Sequence, residues 1–166
     1  RQAFGHKGSY GHVFIVGGHA DMGGAVIMAA EAAFSAGAGK VSVVCNAKHH
    51  TAILSRSPNI MVKDIDALSD SDLEDILQQA SAVAFGMGLG RDAWAERQFV
   101  RWMRKIELFN QQHHAVEHAI ELVLDADSLW FLAEQEKLQD SISIQKRLNH
   151  HTYATPHPGE AAKLLG

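Results

Sequence analysis

The stretch His12-Val13-Phe14-Ile15-Val16, running directly into Gly17-Gly18-His19-Ala20-Asp21-Met22-Gly23-Gly24, decides how the chain is read. An apolar five-residue run reads as a buried strand, and a loop this rich in glycine cannot continue it. The alanine-dominated segment from Ala25 to Ala36 then predicts a helix, ended by Gly37 and Gly39 where a helix C-terminus favours glycine. Lys40-Val41-Ser42-Val43-Val44-Cys45 reads as a second strand, so these segments make a βαβ unit. Small residues along the helix call for close packing on the sheet.

Further on the alternation repeats. Asn59 to Ile65 reads as a third strand, followed by a helix whose start is marked by Ser71 and Glu74 at the capping-box spacing. Ala82-Val83-Ala84-Phe85 reads as a short buried strand ending in a second glycine loop, Gly86-Met87-Gly88-Leu89-Gly90. From Arg91 to about Gln112, the residues Phe99, Trp102, Met103, Ile106 and Phe109 recur at three- and four-residue steps among arginines and lysines. That spacing predicts an amphipathic helix whose aromatic stripe serves the core or a subunit contact. Ile120 to Leu124 reads as the next strand, ending at Asp125-Ala126-Asp127, and Tyr153-Ala154-Thr155 leads into Pro156-His157-Pro158-Gly159-Glu160. Strands alternating with helices predict one α/β domain over residues 1–166, with a largely parallel sheet.

Composition agrees with that class and excludes others. The 166 residues are 46% hydrophobic, enough to bury a core without staples, and the lone Cys45 rules out an internal disulfide. Fifteen Lys and Arg against nineteen Asp and Glu give a net charge of −4, too mild and even for a nucleic-acid or membrane-surface partner. The longest apolar run, Ala25 to Ala30, falls far short of the roughly 20 residues that span a bilayer. Arg1 to Gly5 has no signal-peptide core, so a cytoplasmic protein is expected. Eleven histidines include His49-His50, His113-His114 and His150-His151, and His114 and His118 could share a helix face. No cysteine or carboxylate accompanies them at a ligand spacing, so no metal site is expected from them.

In open parallel sheets the ligand crevice lies beyond the carboxyl ends of the strands, at a topological switch point. The unusual residues fall there repeatedly: Gly17 and Gly18, Gly86 and Gly88, Asp125 and Asp127, and His157. Glycines let backbone N–H groups approach a phosphate or a flat ring, and a following helix N-terminus adds donors. Two phosphate motifs fail on spacing. The dinucleotide fingerprint needs G-x-G-x-x-G and an acid at the second strand's end, where Cys45-Asn46 stands. A P-loop needs lysine and serine or threonine where Gly24 and Ala25 stand. In extended chain Asp125 and Asp127 would point to one side, to hold a magnesium–phosphate group or orient a ligand hydroxyl, unless Asp127 caps a helix starting near Ser128. His157 sits between two prolines that stiffen its turn.

His6-Lys7-Gly8-Ser9-Tyr10-Gly11-His12, the loop Gly17 to Ala25, Ala36-Gly37-Ala38-Gly39, Gly86-x-Gly88-x-Gly90, Asp125-Ala126-Asp127-Ser128-Leu129 and Thr155-Pro156-His157-Pro158-Gly159-Glu160 together resemble the NAD(P)H-hydrate dehydratases. These form the YjeF C-terminal family of the ribokinase-like fold, a three-layer α/β architecture with helices on both faces of the sheet. The resemblance implies nucleotide-dependent dehydration of hydrated NADH or NADPH, with ADP or ATP and Mg2+ as cofactors. Phosphorylation of the ring hydroxyl would turn a poor leaving group into phosphate. Carried over by position, Ala25, Gly88 and His157 resemble contacts to the hydrated cofactor, Gly17, Gly18 and Gly86 would shape the same pocket, and Asp125 and Glu160 would lie on the nucleotide–metal side. A homo-oligomer is implied, a tetramer in the family.

Departures accompany the matches. Met87 stands where the family usually has proline, and Ser128-Leu129-Trp130 replaces the commoner A-L-N. The family continues past T-P-H-P-G-E with a nucleotide-holding strand and a G-T-G-D loop whose aspartate would be the base, whereas this chain ends at Gly166. The expectation is therefore a domain truncated at its C-terminus with no catalytic residue of its own. Part of its sheet would be left bare, with poor solubility or tight oligomerisation as the result. Two alternatives stay open: another ribokinase-like small-molecule kinase, or an inactive nucleotide-binding fragment.

Overall fold

Alternation along β1 (His12–Val16) sets up two cores, because successive side chains of a strand point to opposite faces. Phe14 and Val16 join one buried cluster and Ile15 the other. In β2 (Lys40–Cys45), Val44 joins the first while Val41, Val43 and Cys45 join the second. The chain is described by a computed structural model over residues 10–112, 119–137 and 149–166.

Each core is closed by its own helices. α1 (Gly23–Ser35) and α2 (His50–Arg56) cover the Ile15 face through Val26, Ala30 and Ile53. The opposite face is covered by α3 (Asp70–Gln79), α4 (Ala93–Gln112) and α5 (Asp127–Lys137). With β3 (Met61–Asp64), β4 (Ala82–Phe85), β5 (Glu121–Leu124) and β6 (Thr152–Ala154), the strands make a six-stranded sheet of order β3-β2-β1-β4-β5-β6. Every pairing is parallel, with Phe14 opposite Ser42 and Val83, and Val83 opposite Leu122. A final helix, α6 (Pro158–Leu165), packs against α5. This is the expected three-layer α/β fold. On the Ile15 face, Ala84 and Val123 are only half-buried and Tyr153 of the edge strand is exposed.

The aromatic stripe of α4 belongs to the core. Phe99 and Trp102 are fully buried, with Phe99 stacked on Phe131 at 5.2 Å between ring centres and Trp102 lying 6.1 Å from Phe85. Phe109, at the end of the stripe, is only partly buried against this cluster.

Three local readings are corrected. The capping box of α3 is formed by Ser69 and Asp72, not by Ser71 and Glu74: Ser69 Oγ accepts the Asp72 N–H at 3.1 Å and Asp72 Oδ2 accepts the Ser69 N–H at 2.8 Å. Both pairs have the right spacing, but Ser69 is still extended at ψ 172° as it leaves the turn after β3, whereas Ser71 already lies in the helix. Glu74 binds Lys105 instead, at 2.7 Å. The segment from Ala47 to Arg56, with no predicted element, is a 3₁₀ turn leading into α2; its opening turn is held by Asn46, whose Oδ1 accepts the Lys48 N–H at 3.1 Å. With Ile53 its one buried residue, α2 is too short to show a period. Asp125 and Asp127 do not share an extended strand end, because Ala126 takes a left-handed φ of 51° and α5 begins at Asp127. Among the described residues no helix is long and apolar enough to cross a membrane, and no three metal-ligating side chains cluster. His6 to Ser9 and the spacing of His114 and His118 lie outside the described residues.

At the amino end of the sheet, His12 is buried beside Phe14, with ring centres 4.1 Å apart, and its Nε2 lies 2.8 Å from Ser42 Oγ. Burial, then the charges of Lys40 and Lys63, push its pKa down to about 4. Between that value and the ordinary one near 6.5, the unfolded chain binds a proton that the folded chain refuses. Stability is therefore complete above the upper value and falls with pH across the window. In chemical denaturation, wild type should lose about 1–3 kcal/mol more than His12→Asn between roughly pH 7.5 and pH 5. Equal losses would show that His12 titrates normally.

Candidate functional site

All six strands run parallel, so the loops after β1, β4, β5 and β6 emerge on one rim. The strand order reverses between β1 and β4, where crevices form in such sheets. Here the two glycine loops cross as if the strands continued. Gly18 N–H donates to the Met87 carbonyl at 3.0 Å, His19 N–H to the Gly88 carbonyl at 2.7 Å, and Gly86 N–H to the Val16 carbonyl at 3.0 Å.

That crossing explains the glycines without a ligand. A side chain on Gly17 would strike the Met87 carbonyl, on Gly86 the Asp125 carbonyl and Ser128, and on Gly88 the Met22 carbonyl. Gly18 lies against Cys45 and Val26 at a φ of +64°. Gly24 differs. It sits in the first turn of α1 with nothing within 4 Å of the place a Cβ would occupy. Met22, the residue before that helix, supplies no side-chain cap for the first N–H groups of α1, which begin beside Gly24 and Ala25. Ala25 is the neighbour of Gly88 across this junction, 3.5 Å from the place of a Gly88 Cβ.

The second group of expected residues lies past β5. His157 caps α6: Nδ1 accepts the Gly159 N–H at 3.0 Å, which puts the ring proton on Nε2, 3.2 Å from Glu160 Oε1. Glu160 Oε2 accepts the His157 N–H at 2.9 Å, which closes a capping box. The stiff turn between the prolines is thus a helix start, with Pro158 in the first turn. Glu160 spends both oxygens on this cap. Asp127 is similarly engaged and does not serve as the predicted cap: Oδ2 accepts the Gly90 N–H at 2.9 Å and Oδ1 takes the Arg91 Nε at 2.8 Å. Asp125 Oδ1 accepts the Ala126 N–H at 2.9 Å, while its carbonyl lies under Gly86. Gly17, Gly18, Gly86, Gly88 and Ala25 therefore surround one crossing, and His157 and Glu160 line a separate cavity of about 280 Å³ with Arg91, Leu129, Trp130 and Lys163.

Sequence reasoning had singled out neither Arg91 nor Lys163, for charged residues near helix ends carry no spacing signal. It also missed a network across the other half of the rim. His19 Nε2 lies 3.2 Å from Asp92 Oδ2, and Asp66 accepts from Trp94 Nε1 at 2.6 Å and Asn46 Nδ2 at 3.1 Å. The Ala95 N–H, ahead of His19, holds the Asp92 carboxyl below the ordinary aspartate range. Under the crossing, burial and then Asp64 push the Cys45 thiol up to about 12, so it stays protonated and offers no nucleophile.

The model of the NAD(P)H-hydrate dehydratase family matches residues 13–166. A bifunctional NAD(P)H-hydrate repair enzyme from Coxiella burnetii is 40% identical over 161 residues, which cover 97% of this chain and 28% of that protein. An ADP-dependent (S)-NAD(P)H-hydrate dehydratase from Listeria monocytogenes is 33% identical over 159 residues, 96% of this chain and 50% of that one. The solved structure of a ribokinase-like superfamily protein from Enterococcus faecalis superposes with a TM-score of 0.81 at 25% identity, covering 99% of this chain and 51% of that one. The chain spans about half the length of the ADP-dependent dehydratase it matches, and less of the bifunctional one.

The contrast among the glycines is measurable. Gly86→Ala, strained at φ +118° and blocked by the Asp125 carbonyl, should lower stability by about 2 kcal/mol or more. Gly24→Ala meets open space in a helical turn and should leave stability unchanged or raise it by up to about 1 kcal/mol. Denaturation midpoints of the two variants check both, and equal losses would refute the distinction.

Proposed function

The chain belongs to the NAD(P)H-hydrate dehydratase family, and from that premise we propose that it serves nicotinamide-nucleotide repair. The reaction is dehydration of hydrated NADH or NADPH back to NADH or NADPH, driven by ADP or ATP. The observation that carries this reading is the crossing of the β1 and β4 loops at the sheet's switch point, which sets Ala25 beside Gly88 under the uncapped start of α1.

Chemically the difficulty is the leaving group. In the proposed sequence the ring hydroxyl oxygen attacks the terminal phosphorus of the nucleotide and loses its proton, and AMP departs when ADP is the donor. The carbon–oxygen bond then breaks with its electron pair on phosphate. The neighbouring ring carbon gives up a proton, and the pair left behind forms the ring double bond. Gly88 and Ala25 would border the flat ring, the N–H groups of α1 would face anionic oxygens, and His157 would present its imidazole face, since both its nitrogens are held in the cap. Gly17, Gly18 and Gly86 act by shaping the crossing. Asp125 lies on the same rim, and Glu160 acts through its hold on His157. No described side chain is assigned as base.

Nucleotide use accords with the ADP dependence named for the Listeria relative. A magnesium ion held with nucleotide phosphates takes only one or two carboxylates from the protein, and of the expected acids Asp127 and Glu160 are held by other partners while Asp125 has only Oδ1 engaged, by the Ala126 N–H.

The assay is recovery of nicotinamide absorbance from hydrated NADH with ADP or ATP and magnesium. It uses the chain itself and the chain fused to the second half of an ADP-dependent relative. Nucleotide-dependent recovery in the fusion is the expected result, with at least about tenfold loss in His157→Ala. Accumulation of a phosphorylated hydrate without ring absorbance would make the protein a kinase. Binding without conversion in either form would make it a binding module.

A further inference from the structure

Trp130 stands where the family resemblance leads one to expect asparagine, and two cations gather on it. The Arg91 guanidinium carbon lies 5.4 Å from the indole centre and Lys163 Nζ 5.2 Å. Both line the 280 Å³ cavity that also holds His157. An indole face attracts a cation, and each of the two is paired with one carboxylate, Arg91 with Asp127 and Lys163 with Glu134, so what this wall offers an anion is the donors those pairs leave over.

Their existing partners leave that capacity open. Asp127 engages Arg91 through Nε alone, at 2.8 Å, and the two terminal amino groups of the guanidinium donate to no group among the described residues. A planar fork of this kind suits two oxygens of one phosphate. Among the described residues Lys163 donates one hydrogen bond, 3.3 Å to Glu134, which leaves two of its three donors. Glu160, the acid lining the cavity, has its oxygens turned to the His157 N–H and ring. Arg91 and Lys163 are about half exposed, at 52% and 45%, so a ligand from solvent can reach both.

Hydrated NADH and hydrated NADPH differ by one group, a phosphate monoester on the adenosine ribose. We propose that Arg91 and Lys163, held over Trp130, bind that 2′-phosphate and make the chain selective for the phosphorylated dinucleotide. The inference rests on the repair reading for the identity of the substrate.

The test is direct binding of adenosine 2′,5′-bisphosphate and of 5′-AMP to the chain, by calorimetry at low and moderate salt. The 2′-phosphorylated probe should bind at least about tenfold tighter, with the advantage shrinking as salt rises. Arg91→Gln and Lys163→Ala, both at exposed positions, should each bring the ratio to within about threefold of unity, as should Trp130→Asn. Equal binding of the two probes, no binding of either, or a ratio unchanged in the variants would overturn the proposal. The repair reading fails separately: a chain that keeps the 2′-phosphate preference while its fusion never restores hydrated NADH or NADPH has the anion subsite without that activity.

Discussion

Where β1 and β4 end, two backbones pass so closely that neither can carry a side chain toward the other, and the rest of the rim is arranged around that crossing. The Met87 carbonyl lies against Gly17 and accepts from Gly18, and Gly88 in turn lies against Met22. One hydrogen-bonded seam therefore fixes the start of α1, the turn into α4 and, through Asp127 and Gly90, the first turn of α5. The sheet supplies the platform. Covered on one face by α3, α4 and α5 and on the other, over β1 and β2, by α1 and α2, it holds the strand ends in register so that the loops meet where they do.

Much of this was legible in the chain's own pattern, and the exceptions have physical causes. The apolar runs of β1 and β2 are strong because those strands are buried on both sides, and the period of α4 is strong because that helix is long. α2 was invisible because a short helix with one buried residue has no period to read. The cap of α3 was misplaced because two overlapping pairs, Ser69 with Asp72 and Ser71 with Glu74, satisfy one spacing rule and only the turn before them chooses. At the site, glycine spacing located the crossing but suggested bare backbone facing a ligand. Four of those glycines face protein instead, and Gly24, inconspicuous in the sequence, faces open space. The pair Asp125 and Asp127 looked like a unit until Ala126 turned left-handed between them.

His157 shows how a structural duty and the proposed functional one can fall to one side chain. Its two ring nitrogens and the two oxygens of Glu160 are bound to each other and to the start of α6, an arrangement sufficient to explain the motif as a helix cap. Yet that same locking presents an imidazole at fixed orientation on the wall of a cavity shared with Arg91 and Trp130. A ligand meeting this wall does not have to order it first, and the entropy of fixing a side chain is spent during folding.

Cys45 closes β2 directly beneath Gly18, buried and with its thiol held protonated. A thiol in that position is silent toward alkylating reagents for as long as the seam above it stays shut. Because it is the chain's single cysteine, each labelled molecule records one opening of the strand ends. The protein thus carries its own clock for the breathing of its rim: a slow clock means that the crossing opens only with the whole domain, and a fast one that the loops part while the sheet below stays folded.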